Sequence, residues 1–252
     1  MATITRTAKK EVIGFKDVSF KYPSADTNTL TNITFTIYEG ESIAIIGPNG
    51  GGKTTCLLLL IGHLKCPNGS IKIYNNTSFQ TQFLINGVFQ KSTFEHPTFP
   101  IVVKDFIALG GVELSRKTRN KRTLEALAAV KLETFQNHSI SSLSAGQRQR
   151  MLIARALVND PPILLFDEPT ANLDEQSESL FYDILKNLRT QKKTIVFISH
   201  DISVAPQFSD RIFCCNHTIH EVAPHNLNDQ TLKYLYNPEL RPLNHSHYKP
   251  NK

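Results

Sequence analysis

Ser42-Ile43-Ala44-Ile45-Ile46-Gly47-Pro48-Asn49-Gly50-Gly51-Gly52-Lys53-Thr54-Thr55 is the stretch on which the reading of this chain turns. Residues 42–46 are short and apolar enough for a buried strand, and residues 53–64 for a buried helix. Between them lies G-x-x-x-x-G-K-[ST], in the context that spacing requires: directly after a strand and opening a helix. The chemistry explains each residue type. A polyphosphate carries several negative charges and needs many donors at close range. Glycines let backbone N–H groups converge on its oxygens without Cβ atoms in the way, and the helix N-terminus adds unpaired N–H groups. Lys53 brings a point charge to the β- and γ-phosphates, and the Thr54 hydroxyl suits a Mg²⁺ ligand. The plainer alternative is a glycine loop that merely turns a strand into a helix. It gives no reason for lysine and threonine to stand in register.

Residues 163–168, Ile163-Leu164-Leu165-Phe166-Asp167-Glu168, supply a second element. A short apolar strand ending in a carboxylate delivers Asp167 to the metal's coordination sphere or just outside it. Glu168 points to the opposite side, placed to polarise an attacking water. An isolated Asp-Glu pair is commonly a solvated turn; the phosphate loop upstream argues against that here. Together the two elements establish a nucleotide-hydrolysing P-loop protein and leave kinases, GTPases and motors open.

Elsewhere, strand patterns cover the apolar positions Ile13, Phe15, Val18, Phe20 and Tyr22, the alternation at Ile33, Phe35 and Ile37, and residues 70–74, 194–199 and 211–215. Helix patterns cover residues 116–131, with Leu124, Leu127 and Ala128 on the apolar face, residues 145–158 behind a Ser144 cap, and residues 175–189. Strand–helix–strand alternation predicts a mostly parallel sheet with crossover helices.

Hydrophobic residues make up 40% of the 252 and charged residues 20%, ordinary for a globular protein. No apolar run approaches the ~18 residues of a membrane helix, and no apolar segment follows the basic N-terminus, so no signal peptide is expected. Cys56, Cys66, Cys214 and Cys215 have neither CxxC nor zinc-like spacing, which favours buried, reduced thiols at Cys214 and Cys215. The formal charge of +6 is scattered except at residues 116–122, as on a solvated surface.

Leu143-Ser144-Ala145-Gly146-Gln147 resembles the LSxGQ signature of ABC ATPases, placed shortly before the Asp-Glu strand as that family requires. Other family motifs fall in order: Tyr22 resembles the aromatic that stacks on adenine, Gln90 the Q-loop glutamine, residues 171–174 with Asp174 the D-loop, and His200 the switch histidine. The resemblance implies a P-loop α/β fold: a RecA-like core with a mostly parallel sheet, an N-terminal antiparallel β subdomain and an inserted helical subdomain at about residues 91–160. One ATPase domain over residues 12–244 and a polar tail at 245–252 are expected.

The resemblance also assigns roles. Glu168 and His200 would act on the attacking water and the γ-phosphate. Residues 47–55, Tyr22 and Gln90 would hold ATP and Mg²⁺, with Thr54, Gln90 and Asp167 about the metal. Ser144, Gly146 and Gln147, with Asp174, would face nucleotide held by a second copy, so the resemblance implies a head-to-tail homodimer. Tyr22 taken alone also reads as one more strand aromatic, and Ser144 as a simple helix cap.

Repair relatives carry a long coiled coil between Q-loop and signature, whereas about fifty residues separate Gln90 from Leu143 here, without sustained heptads. Translation relatives usually carry two ATPase domains. An energy-coupling subunit of a transporter fits better, at the cytoplasmic face of a bacterial inner membrane, with a separate permease, a solute-binding protein and no nucleic acid. Residues 98–105, Thr98-Phe99-Pro100-Ile101-Val102-Val103-Lys104-Asp105, resemble the FPITVxDVV stretch of zinc, manganese and iron importers, with Val102 in place of threonine. Import of a metal ion is therefore expected; another small solute, or a soluble ATPase linked to nucleic acid or translation, is the alternative. His245 and His247, with His217, His220 and His225 upstream, read as solvated histidines rather than metal ligands.

Overall fold

A computed structural model describes residues 9–74, 76–77, 84–89, 100–171, 173–227 and 235. Two sheets organise it. The first is antiparallel, built from β1 (Glu11–Phe20), β2 (Leu30–Tyr38), β4 (Asn68–Ile73) and β5 (Asn76–Thr77) in the order β2-β1-β4-β5. The second contains β3 (Ser42–Ile46), β6 (Ile85–Val88), β7 (Ile163–Asp167), β8 (Thr194–Ile198), β9 (Arg211–Asn216) and β10 (Thr218–Val222), in the order β10-β9-β3-β8-β7-β6. All its pairings are parallel except β10 on β9. The α/β class, the mostly parallel core and the antiparallel N-terminal sheet all match the expectation from sequence.

Strand periodicity sorts the core into two layers. Ile43, Ile45, Leu165, Val196, Ile198 and Phe213 face the antiparallel sheet and helix α1 (Lys53–Leu60). Their neighbours Ala44, Ile46, Leu164, Phe166, Ile195, Phe197 and Ile212 face the helices on the other side. These are α2 (Val103–Ala108), α3 (Arg116–Ala129), α4 (Ala145–Leu157), α5 (Glu175–Thr190) and α6 (Ala205–Phe208). Because both faces are covered, the parallel strands read as continuous apolar runs. Arg211, at the start of β9, ties the two sheets together: its guanidinium donates to Glu41 at 2.9 Å, to Glu221 at 2.7 Å and to the Thr36 carbonyl of β2 at 2.8 Å.

Besides shifts of one or two residues at strand ends, three details differ from the sequence reading. Helix α1 stops at Leu60 instead of continuing to Leu64, because Gly62 adopts φ 74° and its N–H closes the turn on the Leu59 carbonyl. Helix α3 ends at Ala129, two residues early, and Lys131 takes a left-handed conformation. Its buried face is Thr123, Ala126 and Leu127, whereas Leu124 is 53% exposed and Ala128 is exposed too. The apolar stripe is thus rotated from the one the leucines suggest, since the α3 face is chosen by what α2 and α4 present. Cys56, Cys214 and Cys215 are buried thiols in no disulfide, and burial pushes the Cys214 thiol up to about 12. No described helix is long and apolar enough to cross a membrane.

The contrast between two leucines makes the layering testable. Leu164→Ala, at a fully buried site on the helical face of β7, is expected to lose about 2–5 kcal/mol in urea unfolding. Leu124→Ala on the surface of α3 is expected to change stability by less than about 0.5 kcal/mol. Equal losses at the two sites would contradict the assignment of faces.

Candidate nucleotide site

Three adjacent parallel strands, β3, β8 and β7, end at the same edge of the sheet, and ligands of open α/β sheets bind at that carboxyl edge. Residues 47–52 follow β3, Glu168 follows β7, and His200 lies two residues beyond β8. Chain order does not bring these together; strand order does.

The 47–52 loop is held closely at Gly47, Gly51 and Gly52, where a side chain would collide with its neighbours. A Cβ on Gly47 would lie 1.9 Å from the Cys215 carbonyl oxygen of β9, and Gly52, at φ 97°, lies against Leu30 of β2. Lys53, 5% exposed, folds back to donate to the carbonyls of Gly47 at 2.9 Å and Pro48 at 3.0 Å. Burial lowers its pKa, against the pull of the Glu168 and Asp167 carboxylates. The Thr54 hydroxyl donates to Asp167 Oδ1 at 3.2 Å. Asp167 is 3% exposed; desolvation raises its pKa, opposed by the Thr54 bond and by the charges of Lys53 and His200. A buried carboxylate beside a threonine hydroxyl is an oxygen donor set that suits Mg²⁺.

Glu168 occupies a left-handed conformation, φ 52°, uncommon for a residue with a side chain. Its Oε1 lies 2.5 Å from His200 Nε2. The histidine side chain is 45% exposed and the glutamate only 12%, so the pair looks outward from a covered carboxylate to an open imidazole. Tyr22, just past β1, places its hydroxyl 3.2 Å from Thr55 Oγ1 and meets the Phe20 ring edge-on, centroids 4.9 Å apart.

Ser144, Gly146, Gln147 and Asp174 form a second group. Ser144 caps α4 in a reciprocal box: its Oγ accepts from the Gln147 N–H at 3.2 Å, and Gln147 Oε1 accepts from the Ser144 N–H at 2.9 Å. A Cβ on Gly146 would lie 2.1 Å from Ser177 Oγ, so only glycine lets α4 approach the first turn of α5 this closely. Ser177 in turn donates its N–H to Asp174 Oδ1 at 2.8 Å and its hydroxyl to Oδ2 at 3.2 Å; these bonds hold the Asp174 carboxyl below its ordinary range. The backbone N–H of Gly146 lies in the first turn of α4, where no intrahelical acceptor exists.

The structure thus joins Lys53, Thr54, Asp167, Glu168 and His200 at one edge and groups Ser144, Gly146, Gln147 and Asp174 around Ser177. Among the described residues, no hydrogen bond or ion pair links residues 144–147 to the 47–53 loop. Gln90 and residues 98–99 lie outside the described residues, as do Asn172, His245 and His247. Sequence reading did not single out Ser177, although Asp174-x-x-Ser177 carries an N-capping pattern.

A family model described as ABC transporter matches residues 30–171. A probable metal transport system ATP-binding protein of Thermotoga maritima is 34% identical over 228 residues, covering 90% of this chain and 90% of its own length. The zinc uptake system ATP-binding protein ZurA of Listeria monocytogenes is 34% identical over 241 residues, 90% of this chain and 93% of its own. Among solved structures, the dimeric structure of a bacterial ABC transporter cassette superposes with a TM-score of 0.74 at 33% identity, covering 84% of this chain and 98% of that one. The phosphate loop, the carboxylate strand and the signature helix all lie inside the matched region, and the chain belongs to the ABC transporter family, as an ATP-binding subunit that hydrolyses ATP.

Proposed function

We propose that this chain powers import of a metal ion through a separate membrane permease, working as a homodimer at the cytoplasmic face of a bacterial inner membrane. Residues 12–244 act as one ATPase unit, with the helices around residues 91–160 as its inserted part and residues 245–252 as a tail. The observation that carries the reading is the division of the site. Lys53, Thr54, Asp167, Glu168 and His200 converge on one edge, while Ser144 and Gly146 present a helix N-terminus bonded to none of them. A second copy, turned head-to-tail, supplies the missing half of each site.

Within that arrangement residues 47–52 wrap the phosphates with backbone donors, Lys53 exchanges its two loop carbonyls for phosphate oxygens, and Tyr22 offers its ring to the base. Thr54 and Asp167, already 3.2 Å apart, would hold Mg²⁺, with Gln90 as a further oxygen donor, and a buried carboxylate beside a hydroxyl is a donor set that fits the ion. When bound, the ion neutralises phosphate charge. Glu168 polarises the water that attacks the γ-phosphorus, and His200 orients that carboxylate and donates to the γ-phosphate. Ser144 and Gly146 of the second copy close over the γ-phosphate, so ATP favours the closed dimer and hydrolysis releases it.

The cargo reading rests on the sequence of residues 98–105 and on the relatives with metal and zinc transport in their descriptions. A permease and a solute-binding protein complete the transporter. Cells lacking the gene should lose cellular zinc, manganese or iron; unchanged metals beside an altered sugar or peptide phenotype would place the cargo elsewhere.

Two variants test the chemistry. Glu168→Gln is expected to form a stable ATP-bound dimer while turnover falls by about 10²-fold or more; unimpaired turnover in a monomer would refute the assignment. Lys53→Ala is expected to weaken ATP binding by about tenfold or more, because a charge-assisted contact to phosphate is lost. Calorimetric titration showing unchanged affinity would remove Lys53 from the site.

A further inference from the structure

We propose that Ser199 and Asp201 are positioning residues for hydrolysis: they clasp the main chain on both sides of His200 and hold its imidazole at the Glu168 carboxylate. The inference rests on the catalytic reading of that pair and adds the residues that aim it.

His200 has little else to aim it. Its side chain is 45% exposed, and among the described residues its imidazole bonds to Glu168 alone. An open ring gets little direction from packing, so its direction has to come from its own backbone. Side chains occupy a few staggered wells, and φ and ψ decide which of them are allowed. Fixing those torsions at His200 leaves the ring few places to go.

Ser199 fixes them from one side. It is 6% exposed, and its N–H donates to the Ile45 carbonyl at 3.2 Å, extending the parallel ladder in which Ile45 faces Ile198. Ile45 stands just before the phosphate loop, so the arm that carries His200 is tied to the strand that leads into that loop. The Ser199 hydroxyl then reaches past His200 to both backbone groups of Asp201. It accepts from the Asp201 N–H at 3.0 Å and donates to the Asp201 carbonyl at 3.2 Å. A hydroxyl carries one proton and two lone pairs, so it can make both bonds at once.

Asp201 fixes them from the other side. Its Oδ1 accepts from the Ser203 N–H at 2.8 Å and from the Ser203 hydroxyl at 2.6 Å, and its carbonyl also accepts from the Ala205 N–H at 3.3 Å. The chain therefore passes from His200 directly into α6, where Ala205 and Phe208 are buried. The Phe208 carbonyl in turn accepts from the hydroxyl of Ser42, the first residue of β3, at 2.6 Å. Both ends of the arm thus return to β3, and His200 is the apex between them. Losing the Ser199 hydroxyl or the Asp201 carboxylate frees that apex to shift, and misplacement of about 1 Å costs up to 10²-fold in rate.

The test measures steady-state ATP hydrolysis by the full-length protein carrying Ser199→Ala or Asp201→Ala, each beside its conservative counterpart, Ser199→Thr or Asp201→Asn, and beside His200→Ala. Both clasp alanine variants are expected to lower kcat about threefold to thirtyfold, with KM for ATP and the melting temperature at wild-type values. Ser199→Thr keeps the hydroxyl and Asp201→Asn keeps Oδ1 as an acceptor, so both are expected to stay within about twofold of wild type. Unchanged kcat in both clasp alanine variants overturns the proposal. So do conservative variants that lose as much as alanine, or a loss of kcat matched by a fall in melting temperature, which marks the clasp as a folding contact alone. His200→Ala separates the two levels. If it abolishes turnover while Ser199→Ala and Asp201→Ala are wild-type, the catalytic reading stands and the clasp falls; if it leaves turnover unchanged, the catalytic reading itself falls and takes the clasp with it.

Discussion

At the proposed nucleotide site a triphosphate would bring several negative charges to a protein edge that already holds two carboxylates, Asp167 and Glu168. Asp167 and Lys53 are each at most 5% exposed, so both ions have given up most of their water. Burial moves their pKa values in opposite directions, each toward the neutral form. Placing Lys53 on its own loop carbonyls and Asp167 on Thr54 gives both groups hydrogen-bond partners within the chain. Such a site is poised to exchange weak internal partners for strong external ones, and phosphate with its cation supplies both kinds.

What holds these groups in place is the order of the strands. β3, β8 and β7 are neighbours, so the ends that lead to the phosphate loop, to His200 and to Glu168 lie about one strand spacing, roughly 4.8 Å, apart. The layers on either face lock that register, with large apolar side chains alternating between the helices and the antiparallel sheet. The Arg211 cluster fastens the opposite end of the sheet by bonds to Glu41, Glu221 and the Thr36 carbonyl. The signature helix is placed differently, through a glycine pressed against Ser177 of α5, and Asp174 caps that same turn of α5. Gly146 and Asp174 thereby meet at one turn of α5, the contact through which closure of the proposed dimer would reach the proposed Glu168–His200 pair.

Much of this was legible in the sequence because it is local. The glycines, Lys53 and Thr54 sit within nine residues whose spacing encodes one loop, and Ser144 with Gln147 spells its capping box three residues apart. The parallel strands announced themselves as short apolar runs. Legibility ended where tertiary packing decides. The end of α1 depends on Gly62, an ordinary-looking glycine in an apolar run. The buried stripe of α3 falls on Thr123 and Ala126 rather than Leu124, because the facing helices leave room for small side chains. β6 contains Asn86-Gly87, a dipeptide that reads as a turn, yet it lies flat against β7, with the Asn86 amide donating to the Ala156 carbonyl at 3.1 Å.

The central claim is that each catalytic site is completed by a second copy. A crystal structure of the Glu168→Gln protein with ATP and Mg²⁺ tests it most directly. The account predicts a two-fold dimer in which Ser144 Oγ and the Gly146 N–H of one chain lie within hydrogen-bond distance of the γ-phosphate held by Lys53 of the other. A single chain enclosing its own nucleotide, with residues 143–147 remote from every phosphate, would contradict it.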